Sequence, residues 1–441
     1  MRKGFFGSDR PSASPAFWRS PLRGPWLTSV LGVVLLAGIT LLFVTGLLSY
    51  AAYNPNLSPV NDKTPDKGIL GFYLFDWPTD PHWLYRLNQG LHVTVGIALF
   101  PVLLAKLWSV IPKLFALPPA RSPGHALERL SLLLLVGGAL FEFVTGMLNI
   151  QLDYLFPGSF YPLHFYGAWV FMAAFVVHVA LRLPRTVRTL REQGVRAHLR
   201  RAGPPRPGGH VRPAGHPEPD DGAGLVSPRP AEPTLSRRGA LSLAGGGSLL
   251  LLATTAGQNF DGPLRRTALL APHGGGDPGN GPNGFQINKT IAAAGIHRTD
   301  TGKAWRLALS GRRADLHLSR DELLALPQHS AALPIACVEG WSTGDQWWSG
   351  VRLRDLAALA GYEDADEPPD VLVESLQRRG AFRSAALRHN QVRDPRSLLA
   401  LSVNGESLSP DHGYPARIIV PAAPGVLNTK WVARMTFGEP G

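Results

Sequence analysis

Leu333-Pro-Ile-Ala-Cys-Val-Glu-Gly-Trp-Ser342 is the stretch that decides the fold of the C-terminal half of this chain. Within it, Cys337 is the only cysteine among 441 residues. A lone cysteine excludes an internal disulfide and a cysteine-rich zinc or iron–sulfur site. If Cys337 takes part in chemistry, it does so as a nucleophile or as a single thiolate ligand of a metal. The alternative is a buried structural cysteine, which is common.

Three segments downstream of Cys337 complete a recognisable pattern. They are Leu401-Ser-Val-Asn-Gly-Glu-Ser-Leu408, Asp411-His-Gly-Tyr-Pro-Ala-Arg417 and Lys430-Trp-Val432. Together with the Cys337 segment they resemble the sulfite-oxidase-like family of molybdopterin-dependent oxidoreductases. The resemblance implies a molybdopterin cofactor whose molybdenum is bound by the Cys337 thiolate. A thiolate is a soft ligand, and bound to a metal it is fully deprotonated.

The same resemblance implies which other side chains hold the cofactor. A guanidinium grips a phosphate through two hydrogen bonds, so Arg417 is expected at the cofactor and, with Cys337, in catalysis. Lys430 is expected to point toward the phosphate. The full predicted set is Asn288, Ser375, His412, Arg417, Asn428, Thr429 and Lys430. Taken singly, each of these side chains could instead form a surface ion pair or pack in the core.

Local patterns around these segments predict an α+β domain over residues 285–441. The segment 306–310 alternates like a strand, and Ser319 begins a helix with an acidic first turn. Buried strands are predicted at 370–375 and 417–421. A flexible tether is predicted over 258–284.

The N-terminal half reads differently, because it holds four apolar runs long enough to cross a bilayer, at about 26–50, 88–111, 127–150 and 163–183. Arginines and lysines flank the ends that would face the cytoplasm, including the tail 1–25 and the loop 112–126. These cations account for the net charge of +12. We therefore predict a multi-pass protein of the bacterial cytoplasmic membrane, in contact with lipid, that binds no nucleic acid.

The four runs contain an internal repeat. Phe43-Val-Thr-Gly-Leu-Leu-Ser-Tyr50 matches Phe143-Val-Thr-Gly-Met-Leu-Asn-Ile150, and each is followed by a helix that carries a histidine, His92 or His164. Ionisable residues inside membrane helices are costly and usually functional. Two such imidazoles can hold the axial positions of one haem b in a four-helix bundle. The alternative is a pair of histidines at the membrane interface.

A second, inner haem is a further hypothesis. His178 follows His164 by fourteen residues, roughly 21 Å along a helix, which is the spacing of two stacked haems. However, Lys106 stands at the equivalent position of the other hairpin. His125 would be a poor substitute, and Lys106 could extend to the cytoplasmic interface.

Between the two halves lies a Pro-, Gly- and Arg-rich segment, 192–234, which we predict to be a disordered cytoplasmic linker. The segment 235–257 follows, and Arg237-Arg238 at its start precedes a mildly apolar, Gly-rich run. This resembles a twin-arginine export signal, which would carry a domain folded around its cofactor across the membrane. The alternative is an ordinary fifth membrane helix. Either would place residues 258–441 outside the cytoplasm.

The predicted architecture is thus a multidomain chain: an all-α four-helix haem bundle of two duplicated hairpins, a fifth membrane or signal helix, and an α+β sulfite-oxidase-like molybdopterin domain. The resemblance implies oxygen-atom transfer, with electrons exchanged through haem b with the quinone pool or another donor. Sulfite oxidases carry arginines after the cysteine, whereas here Glu339 follows, which favours reduction of a neutral S- or N-oxide. The alternatives are oxidation of sulfite or a related oxyanion, and a relay cytochrome with an inactive C-terminal domain.

Overall fold

The computed structural model describes residues 17–55, 75–115, 122–150, 160–193, 224–271, 279–313, 315–363, 367–380 and 382–438. The predictions for most of the N-terminal tail, most of the linker and the glycine-rich part of the tether fall outside these ranges. The chain divides into two compact units. Unit 1 comprises residues 1–43, 95–144 and 166–252, and unit 2 comprises residues 44–94, 145–165 and 253–441.

Five helices among the described residues are long and apolar enough to cross a membrane. They are α1 (Pro25–Ala52), α2 (Leu84–Leu114), α3 (Pro123–Asn149), α4 (Tyr161–Gln193) and α5 (Arg237–Thr255). The predicted apolar runs coincide with α1 to α4. Helix α4 continues ten residues beyond its apolar run. Pro184 lies inside the helix and does not end it.

Unit 1 is built from the parts of the helices nearest the arginine-rich ends. Its core packs Trp26 and Leu31 of α1 against Leu103 of α2 and Phe171 of α4. Part of the predicted linker also belongs here: Leu225 is buried, and the Ala231 N–H donates to the Arg19 carbonyl at 2.8 Å. Composition alone predicts disorder for these residues, but a buried leucine holds this part in place.

The C-terminal part of unit 2 contains two five-stranded sheets and three short helices, which confirms the α+β prediction. The first sheet has the order β2-β1-β10-β5-β6, and the second has the order β3-β4-β7-β8 with β9 paired to β7. The strands are β1 (Arg306–Ser310), β2 (Leu316–Ser319), β3 (His329–Leu333), β4 (Gln346–Arg352), β5 (Val371–Ser375), β6 (Ser384–Leu387), β7 (Leu398–Val403), β8 (Glu406–Ser407), β9 (Arg417–Ile419) and β10 (Val432–Phe437). The helices are α6 (Arg320–Ala325), α7 (Leu353–Leu359) and α8 (His389–Arg393).

Local sequence explains where several of these elements begin. The Ser319 hydroxyl accepts a hydrogen bond from the Glu322 N–H at 3.2 Å, and the Glu322 carboxylate accepts one from the Ser319 N–H at 2.7 Å. This reciprocal cap starts α6. Between the strands, apolar side chains such as Leu307, Val373 and Ile418 form one buried cluster. That core fixes the strand ends on which the site is built.

The segment before this domain differs from the predicted flexible tether. Residues Ala256–Asn259 and Gly262–Thr267 form short 3-10 helices. The Arg265 guanidinium donates to the Ser342 carbonyl at 2.9 Å, and the Ser342 N–H donates to the Gln258 carbonyl at 3.2 Å. Tertiary hydrogen bonds therefore order a stretch whose composition predicts flexibility.

Candidate active site

Cys337 lies in a tight loop that its own backbone closes. The Cys337 N–H donates to the Trp341 carbonyl at 2.8 Å, and the Gly340 N–H donates to the Cys337 carbonyl at 3.1 Å. Gly340 has a φ of +94°, a left-handed conformation that favours glycine. On the other side, the Gly425 N–H donates to the Ala336 carbonyl at 2.7 Å. The position of the thiol is thus set by backbone hydrogen bonds on both sides.

The Cys337 side chain is buried beside a carboxylate. Its Sγ lies 3.5 Å from Oε2 of Glu339, which also accepts a hydrogen bond from Trp341 Nε1 at 3.0 Å. Burial, and then the negative charge of Glu339, raise the pKa of the thiol well above its ordinary value. A thiol in such surroundings is a poor free nucleophile. It fits a metal ligand better, because a bound cation supplies the charge that deprotonates it.

The loop opens onto a cavity of about 120 Å³, and all the side chains predicted to hold molybdopterin line it together with Cys337. The lining residues that sequence reasoning missed include Gln286, Lys289 and Phe382. Lys289 directly follows Asn288, so the cavity-lining segment before the domain core extends beyond the single predicted asparagine.

Arg417, at the start of β9, is buried at this cavity. Its Nη1 and Nη2 donate to the carbonyls of His412 at 3.1 Å and Asn428 at 3.3 Å, while Nε has no partner in the described part of the chain. Burial lowers the pKa of the guanidinium to about 9. A buried cation with a spare donor is a site for an anion.

The turn 428–430 adds more unsatisfied polar groups. Asn428 Nδ2 and Thr429 Oγ1 are buried and find no hydrogen-bond partner among the described residues. Lys430 Nζ donates to the carbonyls of Lys289 at 2.5 Å and Asp411 at 2.9 Å. Burial, followed by the charges of Arg417 and Lys289, lowers the pKa of Lys430 well below its ordinary value. An orphaned buried polar group costs about 1–3 kcal/mol, so this cluster fits a ligand rich in acceptors and negative charge, as molybdopterin is.

His412 and Ser375 have structural partners as well. His412 Nε2 donates to the Asn283 carbonyl at 2.9 Å, and its ring stacks on Phe285 with centroids 3.8 Å apart. Burial, and then Arg417, lower the pKa of His412 to about 4, so the imidazole is neutral near pH 7. The Ser375 hydroxyl donates to the Lys430 carbonyl at 2.7 Å and so fixes the 428–430 turn.

Residues 293–440 match the family described as the oxidoreductase molybdopterin binding domain. This segment is a molybdopterin-binding oxidoreductase domain. Mitochondrial sulfite oxidase of Drosophila melanogaster is 32% identical over 157 residues, which are 31% of this chain and 27% of that protein. The uncharacterized oxidoreductase YuiH of Bacillus subtilis is 33% identical over 120 residues, covering 27% of this chain and 58% of that protein. Nitrate reductase [NAD(P)H] of Hordeum vulgare is 37% identical over 94 residues, or 20% of this chain and 10% of that protein.

The chain spans about a quarter of the length of the sulfite oxidases it matches. The solved structure of the sulfane dehydrogenase SoxCD from Paracoccus pantotrophus aligns at 25% identity over 31% of this chain and 38% of that chain. The TM-score is 0.27, an overlap too small to support an argument.

Unit 2 also contains the two histidines of the repeat. The ring centroids of His92 on α2 and His164 on α4 lie 6.2 Å apart, with the ring planes at 87°. Two metal–nitrogen bonds of about 2 Å, plus roughly 1 Å from each ring centre to its nitrogen, also span about 6 Å. The two imidazoles are therefore spaced as axial ligands of one metal ion.

The repeated Phe-Val-Thr-Gly segments build the surroundings of both rings. Thr45 Oγ1 lies 3.0 Å from His92 Nδ1, and Thr145 Oγ1 lies 3.0 Å from His164 Nδ1. A ring whose Nδ1 pairs with the threonine hydroxyl in this way would bind a metal through Nε2. A Cβ added to the glycine after either threonine would lie 3.3 Å from the Cε1 atom of that histidine. Each glycine thus makes room for an imidazole.

Two ligands suffice if the metal is haem iron, because the porphyrin provides the other four. Among the described residues, no group of three or more His, Cys, Asp or Glu side chains could hold a free metal ion. Two imidazoles on two helices of a bundle are a ligand set that haem b takes, so the pair at His92 and His164 fits that group.

The molybdopterin-binding domain contacts the helix turn that carries His92. Gln89 Nε2 donates to the Val338 carbonyl, one residue after Cys337. A Cβ on Gly340 would lie 2.5 Å from Cβ of Val93, so this loop packs directly on α2. Both contacts lie within one turn of His92.

Proposed function

We propose that this chain is a membrane-anchored molybdenum oxidoreductase that reduces a small S- or N-oxide with electrons delivered through haem b. The observation that carries the proposal is the packing of the Cys337 loop on the α2 turn that holds His92. The Gln89–Val338 hydrogen bond and the contact of Gly340 with Val93 support a short path between the two centres.

In this proposal the domain's own residues hold and orient the cofactor. Cys337 supplies one thiolate to the molybdenum. Arg417 and Lys430 neutralise the anionic end of the cofactor, and the orphaned donors at Asn428 and Thr429 meet its polar edges. When bound, the cofactor supplies two-electron oxygen-atom exchange. The net reduction takes two electrons and two protons and converts an S-oxide into the sulfide and water.

The paired histidines would hold a haem that delivers electrons to the Cys337 site. A haem carries one electron at a time, whereas oxygen-atom transfer needs two. One haem held by His92 and His164, close to the Cys337 loop, would pass two electrons in sequence.

Charge near Cys337 favours a neutral oxide as the substrate. Among the described residues, Glu339 is the carboxylate that lines the cavity, and it lies directly beside the thiol. A sulfite dianion approaching this point would meet a negative charge in a poorly solvated place. The similarity to sulfite oxidases favours the second candidate, oxidation of sulfite or a related donor with electrons passed to the membrane.

Membrane insertion is supported by the exposed faces of the helices. Side chains such as Leu133 and Val176 are 59% and 58% exposed, and bundles in water seldom leave such apolar faces open. The molybdopterin-binding domain contacts the helix ends opposite the arginines: Trp77 Nε1 donates to the Ala422 carbonyl at 2.7 Å. The positive-inside rule then puts this domain outside the cytoplasm. Arg237 and Arg238, in the first turn of α5, suit a twin-arginine signal.

A turnover screen on the purified full chain tests this proposal. Sulfite and methionine sulfoxide are offered side by side, and the haem absorption band is followed. We expect methionine sulfoxide to oxidise pre-reduced haem and sulfite to leave oxidised haem unchanged. The reverse result would make the chain a sulfite dehydrogenase and overturn the proposed direction.

Glu339→Gln is expected to lower turnover of the S-oxide without loss of molybdenum. The carboxylate lies 3.5 Å from the Cys337 sulfur, where it could pass a proton to the departing oxygen. General acid catalysis contributes roughly 10²-fold or more. Steady-state kinetics with elemental analysis of molybdenum checks this. Glu406→Gln, on an exposed strand, is the matched control. Unchanged kcat in Glu339→Gln would exclude the proton-transfer role.

Thr145→Val is expected to raise the midpoint potential of the haem. If Nε2 of His164 binds iron, Nδ1–H donates to the threonine oxygen and makes the imidazole a stronger donor to the oxidised iron. Losing a hydrogen bond worth about 1 kcal/mol shifts a one-electron potential by roughly 40 mV. Redox titration of the haem band measures this shift. Thr145→Ser, which keeps the hydroxyl, should show little change, and equal shifts in both variants would contradict the argument.

A further inference from the structure

We propose that the part of the helix bundle in unit 1 binds a quinone ring between Lys106 and His178. This deepens the proposed function and rests on it for the direction of electron flow. The binding site itself is argued from a cavity of about 470 Å³ that α1 to α4 and Leu225 line. Its walls are mostly apolar, with side chains such as Ile39, Phe171 and Phe175.

Lys106 and His178 lie at equivalent positions along α2 and α4. Lys106 follows His92 on α2 by fourteen residues, and His178 follows His164 on α4 by the same number. Each therefore lies roughly 21 Å along its helix from a predicted haem ligand. The two side chains are placed to face one ligand from α2 and α4.

The glycine beside His92 also has an equivalent beside Lys106. A Cβ on Gly46 would lie 3.3 Å from the His92 ring, and fourteen residues earlier a Cβ on Gly32 would lie 3.2 Å from Lys106 Nζ. Gly32 thus leaves room for the ammonium as Gly46 leaves room for an imidazole. The inner level copies the outer one, with a lysine in place of one histidine.

That replacement argues against a second bis-histidine haem. In the part of the chain that the structure describes, the one other histidine that lines the cavity is His125 on α3. It lies twenty residues before Thr145, whose hydroxyl contacts His164, whereas His178 lies fourteen after His164. The six-residue difference places His125 about 9 Å nearer the helix ends, away from the level of His178. Among the described residues, no imidazole pair is therefore placed to hold an inner iron.

A quinone ring matches Lys106, His178 and the apolar walls of the cavity. It has two carbonyl oxygens on opposite sides and an apolar body. Lys106 Nζ uses one hydrogen to donate to the Thr28 carbonyl at 2.6 Å and has two more to give. The His178 ring makes no hydrogen bond within the described part of the chain. One donor from each side would satisfy both carbonyls.

The other cations at the cavity have a different explanation. They are Lys113, Arg129, Arg182 and Arg185. They lie near the helix ends that the positive-inside rule fills with lysine and arginine, so they need no ligand to explain them. Those four cations lie within two residues of the ends of the predicted apolar runs, whereas Lys106 lies five residues inside the run 88–111, so it is the cation that this rule does not require.

The proposed step balances with the reaction at the other centre. A quinol in the cavity would give up two electrons, one at a time, to a haem held by His92 and His164, and would release its two protons to water at the arginine-lined end. These two electrons, with two protons taken from water, would be consumed in reducing the S-oxide at the Cys337 site. The sum is quinol plus S-oxide giving quinone plus sulfide plus water.

The test uses the purified full chain in detergent with menadiol and decylubiquinol as probes. Stopped-flow absorbance follows haem reduction in the wild type, Lys106→Met and His178→Leu. Losing a hydrogen bond to a charged or ring donor costs about tenfold, so each variant should reduce haem about tenfold more slowly with a quinol. Dithionite should reduce the haem of all variants fully. Lys106→Arg should recover part of the rate, and His125→Gln should behave as the wild type.

The haem content and the oxidation of haem by S-oxides are measured as well. A haem assay should give one haem per chain in the wild type and in both variants. Two haems per chain with loss of one in His178→Leu, or quinol rates unchanged in both variants, would overturn the quinone site. If quinols reduce haem in a Lys106-dependent way while S-oxides fail to oxidise it, the quinone site stands and the proposed function falls.

Discussion

Cys337→Ser is expected to abolish turnover with every substrate and to leave the haem absorption spectrum unchanged. The serine hydroxyl is a hard ligand with a far higher pKa than a thiol, so it cannot replace the thiolate on molybdenum. The loop itself should persist, because its backbone hydrogen bonds do not involve the sulfur. Steady-state assays, elemental analysis of molybdenum and the haem band measure the three effects.

Cys337→Ala separates a metal ligand from a structural cysteine. If Cys337 merely fills a buried space, alanine leaves a small cavity that costs about 1 kcal/mol per missing methyl-sized group and spares activity. If it binds molybdenum, alanine is as inactive as serine. Full activity in either variant would contradict the assignment of Cys337 as a ligand.

His164→Ala is expected to remove the haem and to stop quinol-driven turnover almost completely. Turnover should persist with an artificial donor, such as reduced viologen, that reaches the molybdenum centre directly. The reason is that in the proposed haem site His164 would contribute one of two protein ligands to the iron, while the molybdopterin-binding domain would keep its own fold. Haem content and the two assays are measured on one preparation.

The matched control is His82→Ala. His82 lies in the same outer region and pairs with Asp345 at 3.3 Å, but it does not face His164. This variant should keep the haem. Retention of a normal haem spectrum in His164→Ala would mean that the two imidazoles do not share an iron, and loss of viologen-driven turnover would mean that they do more than relay electrons.

The sequence predicted the α+β domain, and the residues that the family resemblance implies for the cofactor all line one cavity. The histidine pair was predictable because a duplicated hairpin must place equivalent residues at equivalent positions. The roles of Thr45 and Thr145 could have been found too, since the repeat that marks the histidines contains both threonines.

Contacts between distant segments were not predictable. Gln89 and Val338 are 249 residues apart, and nothing in either segment indicates the other. Likewise, Arg265 orders a stretch of low complexity through a carbonyl at Ser342, and Leu225 anchors part of a segment that composition marks as a linker. Such features depend on tertiary packing, which overrides local propensity.

We propose above all that the Cys337 centre and the histidine pair exchange electrons within one chain. Stopped-flow absorbance of the purified protein tests it, starting from haem reduced with one equivalent of dithionite and mixing with methionine sulfoxide. We expect the absorption band to report oxidation of the haem in the wild type and no oxidation in Cys337→Ser. A protein that contains both molybdenum and haem, turns over the S-oxide with viologen and yet leaves its haem band unchanged would contradict it.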